Sequence, residues 1–110
     1  MLSRRSVLLA SLVATTIGLA PALAVEEPAF DASAFAQDQK AGKPSLIAIH
    51  ASWCPTCKAQ KPILHALRAD PRFKNLAYFV IDFDSQKDLV KRFGAQMQST
   101  LIVFKGEKEV

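Results

Sequence analysis

The stretch Trp53-Cys54-Pro55-Thr56-Cys57 contains the only two cysteines of the 110-residue chain. It follows an apolar run that is typical of a buried strand, and it opens a segment with helical periodicity. At such a junction Cys54 lies where unpaired backbone N–H groups and the positive end of the helix favour a thiolate. Cys57 follows one helical turn later, within reach of Cys54. Because the thiolate is the form that attacks disulfides, the motif predicts a pair specialised for thiol–disulfide exchange.

A structural crosslink is the alternative interpretation of a lone cysteine pair. A bond between Cys54 and Cys57 would close a very small loop. Such a loop restricts the unfolded chain little, so the crosslink would add little stability. The spacing therefore favours redox exchange over stapling.

Residues 1–24 have the pattern of a cleaved signal peptide. Arg4 and Arg5 form a basic start, an uncharged apolar segment follows, and Ala22-Leu23-Ala24 fits a cleavage site. The start also resembles a twin-arginine export signal, and the general secretory route stays open. We expect cleavage before Val25 and a location in the bacterial periplasm. A retained membrane anchor is the alternative, although the segment is short and diluted by polar residues.

Residues 25–110 are long enough for one small domain. Removal of residues 1–24 takes away two arginines and no acid, so the formal net charge falls from +4 to +2. A charge this small gives no indication of nucleic-acid binding. We expect residues 25–110 to form a monomeric domain with no nucleic-acid partner.

The hydrophobic pattern alternates between helix-like and strand-like segments. The predicted elements are a short helix ending near Gln39 with Asp31 as N-cap, strands at Ser45–Ala51, Leu76–Phe83 and Thr100–Phe104, helices at Pro55–Ala69 and Ser85–Phe93, and the start of a fourth strand at Glu109. Ile63, Leu64 and Leu67 are expected on the inner side of the long helix. The order of elements indicates an α/β layer fold.

Several motifs together resemble the thioredoxin family. They are Trp53-Cys54-x-x-Cys57-Lys58, Pro62 five residues after the second cysteine, Phe93-Gly94 before the third strand, and the strand Thr100–Lys105. The resemblance covers Phe30–Val110 and implies a thioredoxin-like fold with a central mixed sheet flanked by helices. Members of that family continue through a last strand and a terminal helix, which this sequence lacks. We therefore expect either a truncated sequence or a reduced fold with an open sheet edge.

The sequence departs from the family at two positions near the motif. Ala48 stands where the family has a buried acid that serves proton transfer, and His50 is the nearest candidate for a proton relay. Ser99 stands where the family has a cis-proline. Since a cis bond before a non-proline residue costs about 2.5–4 kcal/mol, we expect a trans bond there. By position, Gln98, Ser99 and Thr100 would still form the substrate-docking loop.

The resemblance implies a protein-disulfide reductase. An exposed Cys54 would attack a partner disulfide, and Cys57 would then resolve the mixed disulfide. Trp53 would shape the rim of the site, while Pro55 and Thr56 would tune the thiolate. The sequence has no dinucleotide-binding fingerprint, so we expect no resident cofactor. The expected partners are exported proteins with disulfides and, as electron donor, a membrane thiol transporter.

Two alternatives stay open. The same cysteines could work in the opposite direction, as a disulfide oxidase or isomerase, because the direction depends on which redox form is the more stable. Two thiolates with His50 or His65 could also bind zinc or Cu(I) in a metal-binding or metal-delivery protein. No metal site is expected in the favoured interpretation.

Overall fold

The computed structural model describes Gly18 and residues 27–110. The predicted signal peptide, residues 1–24, therefore lies outside the described residues apart from Gly18. In the part of the chain that is described, no helix is both long enough and apolar enough to cross a membrane.

The elements follow the predicted order of helices and strands. They are helix α1 (Ala32–Lys40), strand β1 (Pro44–His50), helix α2 (Pro55–Ala69), a short 3-10 helix (Pro71–Phe73), strand β2 (Ala77–Asp82), helix α3 (Lys87–Arg92), and strands β3 (Leu101–Lys105) and β4 (Lys108–Glu109). Asp31 caps α1 as expected, because its carboxylate accepts the N–H groups of Ser33 and Ala34 at 2.9 and 3.0 Å.

The four strands form one mixed sheet in the order β2-β1-β3-β4. Strand β1 runs parallel to β2 and antiparallel to β3. The parallel pair requires a crossover connection, which α2 supplies. Strand β4 pairs with β3 across the turn at Gly106, so the fourth strand expected at Glu109 begins one residue earlier. The predicted α/β fold with a mixed central sheet is confirmed.

Alternate residues of the sheet face two separate cores, as the pleat of a strand requires. On one face Ile47, Ile49 and Ile81 pack with Phe35 of α1 and Val90 of α3. On the other face Leu46, Ala48 and Tyr78 pack with Leu64 of α2. Strand β1 is therefore covered on both faces and almost wholly buried, whereas Leu101 and Val103 of the neighbouring β3 are exposed. This burial fixes the end of β1 from which the cysteine motif emerges.

The expected inner face of α2 was wrong at one position. Leu64 is buried at 8% exposure and Leu67 packs beside it, but Ile63 is 68% exposed. Successive residues of an α-helix point about 100° apart, so Ile63 cannot share the direction of Leu64. Five aromatic residues also contribute to the packed clusters, namely Tyr78, Phe79, Phe83, Phe93 and Phe104.

Candidate active site

The cysteine motif lies where β1 ends and α2 begins. Cys54 is the N-cap of α2, with extended backbone angles (φ −85°, ψ 114°), and Pro55 occupies the first helical position. Proline suits this position because the helix does not use the N–H that proline lacks. The carbonyl of Cys54 accepts the first helical hydrogen bond, from the N–H of Lys58 at 3.2 Å. The local sequence thus places a sulfur atom at the helix start.

The sulfur of Cys54 satisfies a backbone donor that the helix leaves free. The N–H of Cys57 donates to Cys54 Sγ at 3.1 Å. A side chain with an acceptor atom normally fills this capping position, and a thiolate accepts more strongly than a thiol. The Sγ of Cys57 lies 3.9 Å from the carbonyl oxygen of Ile49, which directs that thiol towards the end of β1. Both cysteines are free in the structure.

The two thiols are shifted in opposite directions. Burial raises the pKa of Cys54, but hydrogen bonds from the Cys57 thiol, the N–H groups of Cys57 and Thr56, and the Gln98 amide outweigh it, so the pKa is lowered overall. Burial raises the pKa of Cys57, and its hydrogen bond to Cys54 raises it further. Cys54 therefore loses its proton more readily than Cys57 does.

The expectation that Cys54 is exposed was wrong. Its exposure is 1%, and it packs with Ala51 and Cys57 beneath Phe83. The turn that brings the end of β1 to the start of α2 folds the cysteine back onto the strand, as the bond from the Cys54 N–H to the Ala51 carbonyl shows (3.2 Å).

The expected docking loop lies against the same end of β1. The N–H of Ser99 donates to the carbonyl of Ile49 at 2.7 Å, and the N–H of Ile49 donates to the carbonyl of Thr100 at 2.9 Å. The Ile49 carbonyl thus faces both the loop and the thiol of Cys57. Gln98 extends the loop towards Cys54. The structure therefore brings the predicted loop and both cysteines together.

The loop has an unusual backbone at Ser99. Its φ is 64°, and it is the only non-glycine residue with positive φ among those described. No cis peptide bond occurs in residues 27–110, so the trans bond expected before Ser99 is confirmed. A left-handed conformation is uncommon for a residue with a Cβ atom. The hydroxyl of Thr100, which donates to the Met97 carbonyl at 2.7 Å, closes the turn around it.

Trp53 lies at the surface directly before Cys54. Its side chain is 54% exposed, and its Nε1–H donates to Asp84 Oδ2 at 2.7 Å. This bond orients the indole ring beside the cysteine turn without burying it. Pro55 and Thr56 are also exposed on the first turn of α2, and only the backbone of Thr56 reaches the sulfur of Cys54.

His50 ends β1 and lies beside Asp82 of β2 in the sheet register. Its side chain is half-buried, and Nε2 has no hydrogen-bond partner among the described residues. The N–H of Ser85 holds the pKa of Asp82 below its usual range, and the charge of His50 adds to this effect. No hydrogen bond joins His50 to either cysteine within residues 27–110, so its role as a proton relay stays a prediction.

The geometry offers no preformed metal site in the part of the chain described. No group of three or more His, Cys, Asp or Glu side chains converges there. His65 lies exposed on α2, two turns beyond Cys57, and so does not join the two sulfurs. Among the described residues, a metal at this site would therefore have the two sulfurs without a third side chain of these types beside them.

The sequence analysis did not identify two polar contacts of the site, although the sequence contains an indication of each. Asp84 comes two residues after the end of β2. Because parallel strands end at the same edge of a sheet, this position lies near the end of β1. Gln60 follows Cys57 by three residues and therefore shares its face of α2. Its Nε2–H donates to the carbonyl of Ser99 at 3.1 Å.

The sequence of the chain is similar to those of known proteins. The family model named Thioredoxin matches residues 25–110. A thioredoxin of Aspergillus fumigatus is 30% identical over 81 residues, which cover 73% of this chain and 74% of that protein. A protein disulfide-isomerase of Neurospora crassa is 34% identical over 108 residues, covering 94% of this chain but only 29% of the longer protein.

Solved structures agree with the sequence matches. The structure of Trxlp from Edwardsiella tarda superposes with a TM-score of 0.73 at 38% identity, covering 77% of this chain and 82% of that one. Thioredoxin NaTrxh from Nicotiana alata gives a TM-score of 0.65 at 26% identity, covering 77% and 80%. With the fold, the paired cysteines and these relatives in agreement, the chain belongs to the thioredoxin family of thiol–disulfide oxidoreductases.

Proposed function

We propose that this protein is an exported protein-disulfide reductase that cycles Cys54 and Cys57 between dithiol and disulfide. The observation that carries the proposal is the division of roles between the two sulfurs. Cys54 Sγ accepts the Cys57 N–H at 3.1 Å and has a lowered pKa, whereas the pKa of Cys57 is raised. This asymmetry fits a nucleophile and a resolving thiol.

The reaction proceeds in two exchange steps. The Cys54 thiolate attacks one sulfur of a partner disulfide, and the other partner sulfur leaves as a thiolate that takes up a proton. Cys57 then loses its proton, and its thiolate attacks Cys54 Sγ. The mixed disulfide breaks and the second partner sulfur leaves. Two electrons pass from the cysteine pair to the partner, leaving a Cys54–Cys57 disulfide that a thiol donor must reduce.

Cys57 needs a proton acceptor because its pKa is raised by burial. Ala48 offers none. The departing thiolate of the partner is one candidate acceptor for this proton, and His50 at the end of β1 is the other. The mutation His50→Gln distinguishes the two, since it slows release of the partner only if His50 carries the proton.

The direction of exchange is supported by the relatives named thioredoxin, in Aspergillus fumigatus and in Nicotiana alata. The match to a protein disulfide-isomerase favours the opposite direction as a second candidate. The reduction potential separates the two. A value near about −270 mV fits a reductant, and a value near about −120 mV fits a strong oxidant. The difference corresponds to about 7 kcal/mol in the balance between disulfide and dithiol.

The location rests on the signal pattern of residues 1–24. Production of the full chain in a bacterium, followed by fractionation and N-terminal sequencing, tests it directly. A periplasmic product that starts at Val25 supports export. A product that keeps Met1 in the cytoplasmic fraction contradicts it. Under the proposal the partners are exported proteins with disulfides, a membrane thiol transporter regenerates the dithiol, and the protein acts as a monomer.

A further inference from the structure

One side chain of the cysteine helix holds the docking loop. Gln60 of α2 donates its Nε2–H to the carbonyl oxygen of Ser99 at 3.1 Å, across 39 positions of sequence. Both residues are half-buried. The other hydrogen bonds that fix Ser99 and Thr100 come from the β1 backbone or from within the loop itself. In residues 27–110, Gln60 is therefore the side-chain link between α2 and this loop.

The bond acts at the strained point of the loop. Ser99 has a φ of 64°, and a residue with a side chain keeps such a conformation only where its surroundings enforce it. The N–H of Ser99 is held by the Ile49 carbonyl at 2.7 Å, and its own carbonyl is held by Gln60. The peptide group on each side of Ser99 is thus fixed, which leaves the residue no freedom to return to negative φ.

The loop that Gln60 contacts lies close enough to both sulfur atoms to affect their pKa values. The Gln98 amide is among the groups that lower the pKa of Cys54, and the Ser99 backbone is among those that act on Cys57. Gln60 itself forms no hydrogen bond to either sulfur in the described residues. Its influence on the cysteines must therefore pass through the position of the loop.

We propose that Gln60 is a positioning residue of the redox site, which holds the loop of residues 97–100 in its left-handed conformation against Cys54 and Cys57. The hydrogen bond to the Ser99 carbonyl fixes where the Gln98 amide and the Ser99 N–H lie. The loop thereby presents a defined backbone surface to the partner polypeptide. This last consequence rests on the proposed function, whereas the effect on the cysteines does not.

The test compares Gln60→Met with the wild type and with Gln37→Met. Methionine has nearly the length of glutamine but no N–H donor, so it keeps the packing and removes the bond. Gln37 lies exposed on α1, so the same exchange there is a matched control for composition and helix propensity. Circular dichroism confirms that all three proteins are folded before they are compared.

Three independent measurements report on the position of the loop of residues 97–100. Absorbance of the reduced protein at 240 nm against pH gives the titration of the Cys54 thiolate. Amide hydrogen exchange gives the protection of Ser99, whose N–H donates to the Ile49 carbonyl, and of Ile49, whose N–H donates to the Thr100 carbonyl. Reduction of a protein disulfide gives kcat and KM. In Gln60→Met we expect Cys54 to titrate at higher pH, faster exchange at both amides, and a kcat/KM that falls about three- to tenfold, mostly through KM.

Unchanged titration and unchanged exchange in Gln60→Met would overturn the proposal, as would equal changes in Gln37→Met. A lower melting temperature with an unchanged titration of Cys54 would also overturn it. That result would mean that Gln60 stabilises the fold without positioning the loop against the cysteines. Wild-type protein that reduces no protein disulfide would refute the proposed function. The titration and the exchange would then still decide the role of Gln60.

Discussion

Replacing Ser99 by glycine should stabilise the reduced protein, and replacing it by valine should destabilise it. Ser99 has a φ of 64°, which glycine adopts without steric cost and which a β-branched residue resists most. The serine hydroxyl forms no hydrogen bond within residues 27–110, so its removal should have no other cost. Both backbone hydrogen bonds of Ser99, to the Ile49 carbonyl and from Gln60, remain available to glycine and to valine.

The expected size follows from opposing contributions. A left-handed residue with a Cβ atom costs roughly 1–2 kcal/mol, and glycine removes this cost. Glycine also makes the unfolded chain more flexible, which costs roughly 0.5–1 kcal/mol. The net gain for Ser99→Gly is therefore about 0.5–1 kcal/mol. Ser99→Val should lose at least about 1 kcal/mol, so the two variants should differ by roughly 2 kcal/mol.

Urea unfolding of the fully reduced proteins, followed by far-ultraviolet circular dichroism, measures these free energies. Ser52 provides the matched control, because it is an exposed serine in a turn whose φ is not positive. At Ser52, glycine should be the less stable of the two substitutions or equal to valine. If Ser99→Gly is less stable than Ser99→Val, the left-handed backbone at this position is refuted.

Three further predictions concern the cysteines, the rim and the helix α2. Alkylation of reduced protein by iodoacetamide should begin at Cys54, with a midpoint on the pH axis below that of an ordinary cysteine thiol, because the pKa of Cys54 is lowered. Cys57 should react only at higher pH, because its pKa is raised, and peptide mass spectrometry distinguishes the two sites. Equal labelling of the two sulfurs at neutral pH would contradict this. Trp53→Phe removes the exposed hydrogen bond to Asp84, so the free energy of unfolding should change by less than about 1 kcal/mol. The same substitution should lower kcat/KM for protein disulfides. An unchanged kcat/KM would show that Trp53 does not take part in docking. In urea unfolding, Leu64→Ala should lower the free energy of unfolding by about 2–5 kcal/mol, and Ile63→Ala by less than about 0.5 kcal/mol. The reverse order would contradict the assignment of Leu64 to the buried face of α2.

The sequence was sufficient for the elements and for the cysteine pair. Strand β1 is a short, almost wholly apolar run, as expected of a strand buried on both faces, and α2 begins and ends at the predicted residues Pro55 and Ala69. Both predictions depend on local signals, namely hydrophobic period, proline and capping. The N-cap position of Cys54 follows from the same signals.

The burial of Cys54 and the hydrogen-bond partners of Asp84 and Gln60 do not follow from such local signals, although strand order and helical spacing do place both residues near the site. Each depends on how separate segments meet in space, since Asp84 lies 31 positions from Trp53, and Gln60 lies 39 from Ser99. The exposure of Ile63 was a different kind of error. Its hydrophobicity suggested the core, although the helical angle from Leu64 excluded that position.

The division of roles between the two cysteines is tested most directly by trapping the mixed disulfide. Reduced Cys57→Ser and Cys54→Ser proteins are each incubated with a protein that contains a disulfide, and the products are separated without reductant. We predict that Cys57→Ser accumulates a covalent adduct through Cys54, because no resolving thiol remains, and that Cys54→Ser forms none. An adduct through Cys57 in Cys54→Ser, with none in Cys57→Ser, would contradict the assignment of Cys54 as the attacking sulfur.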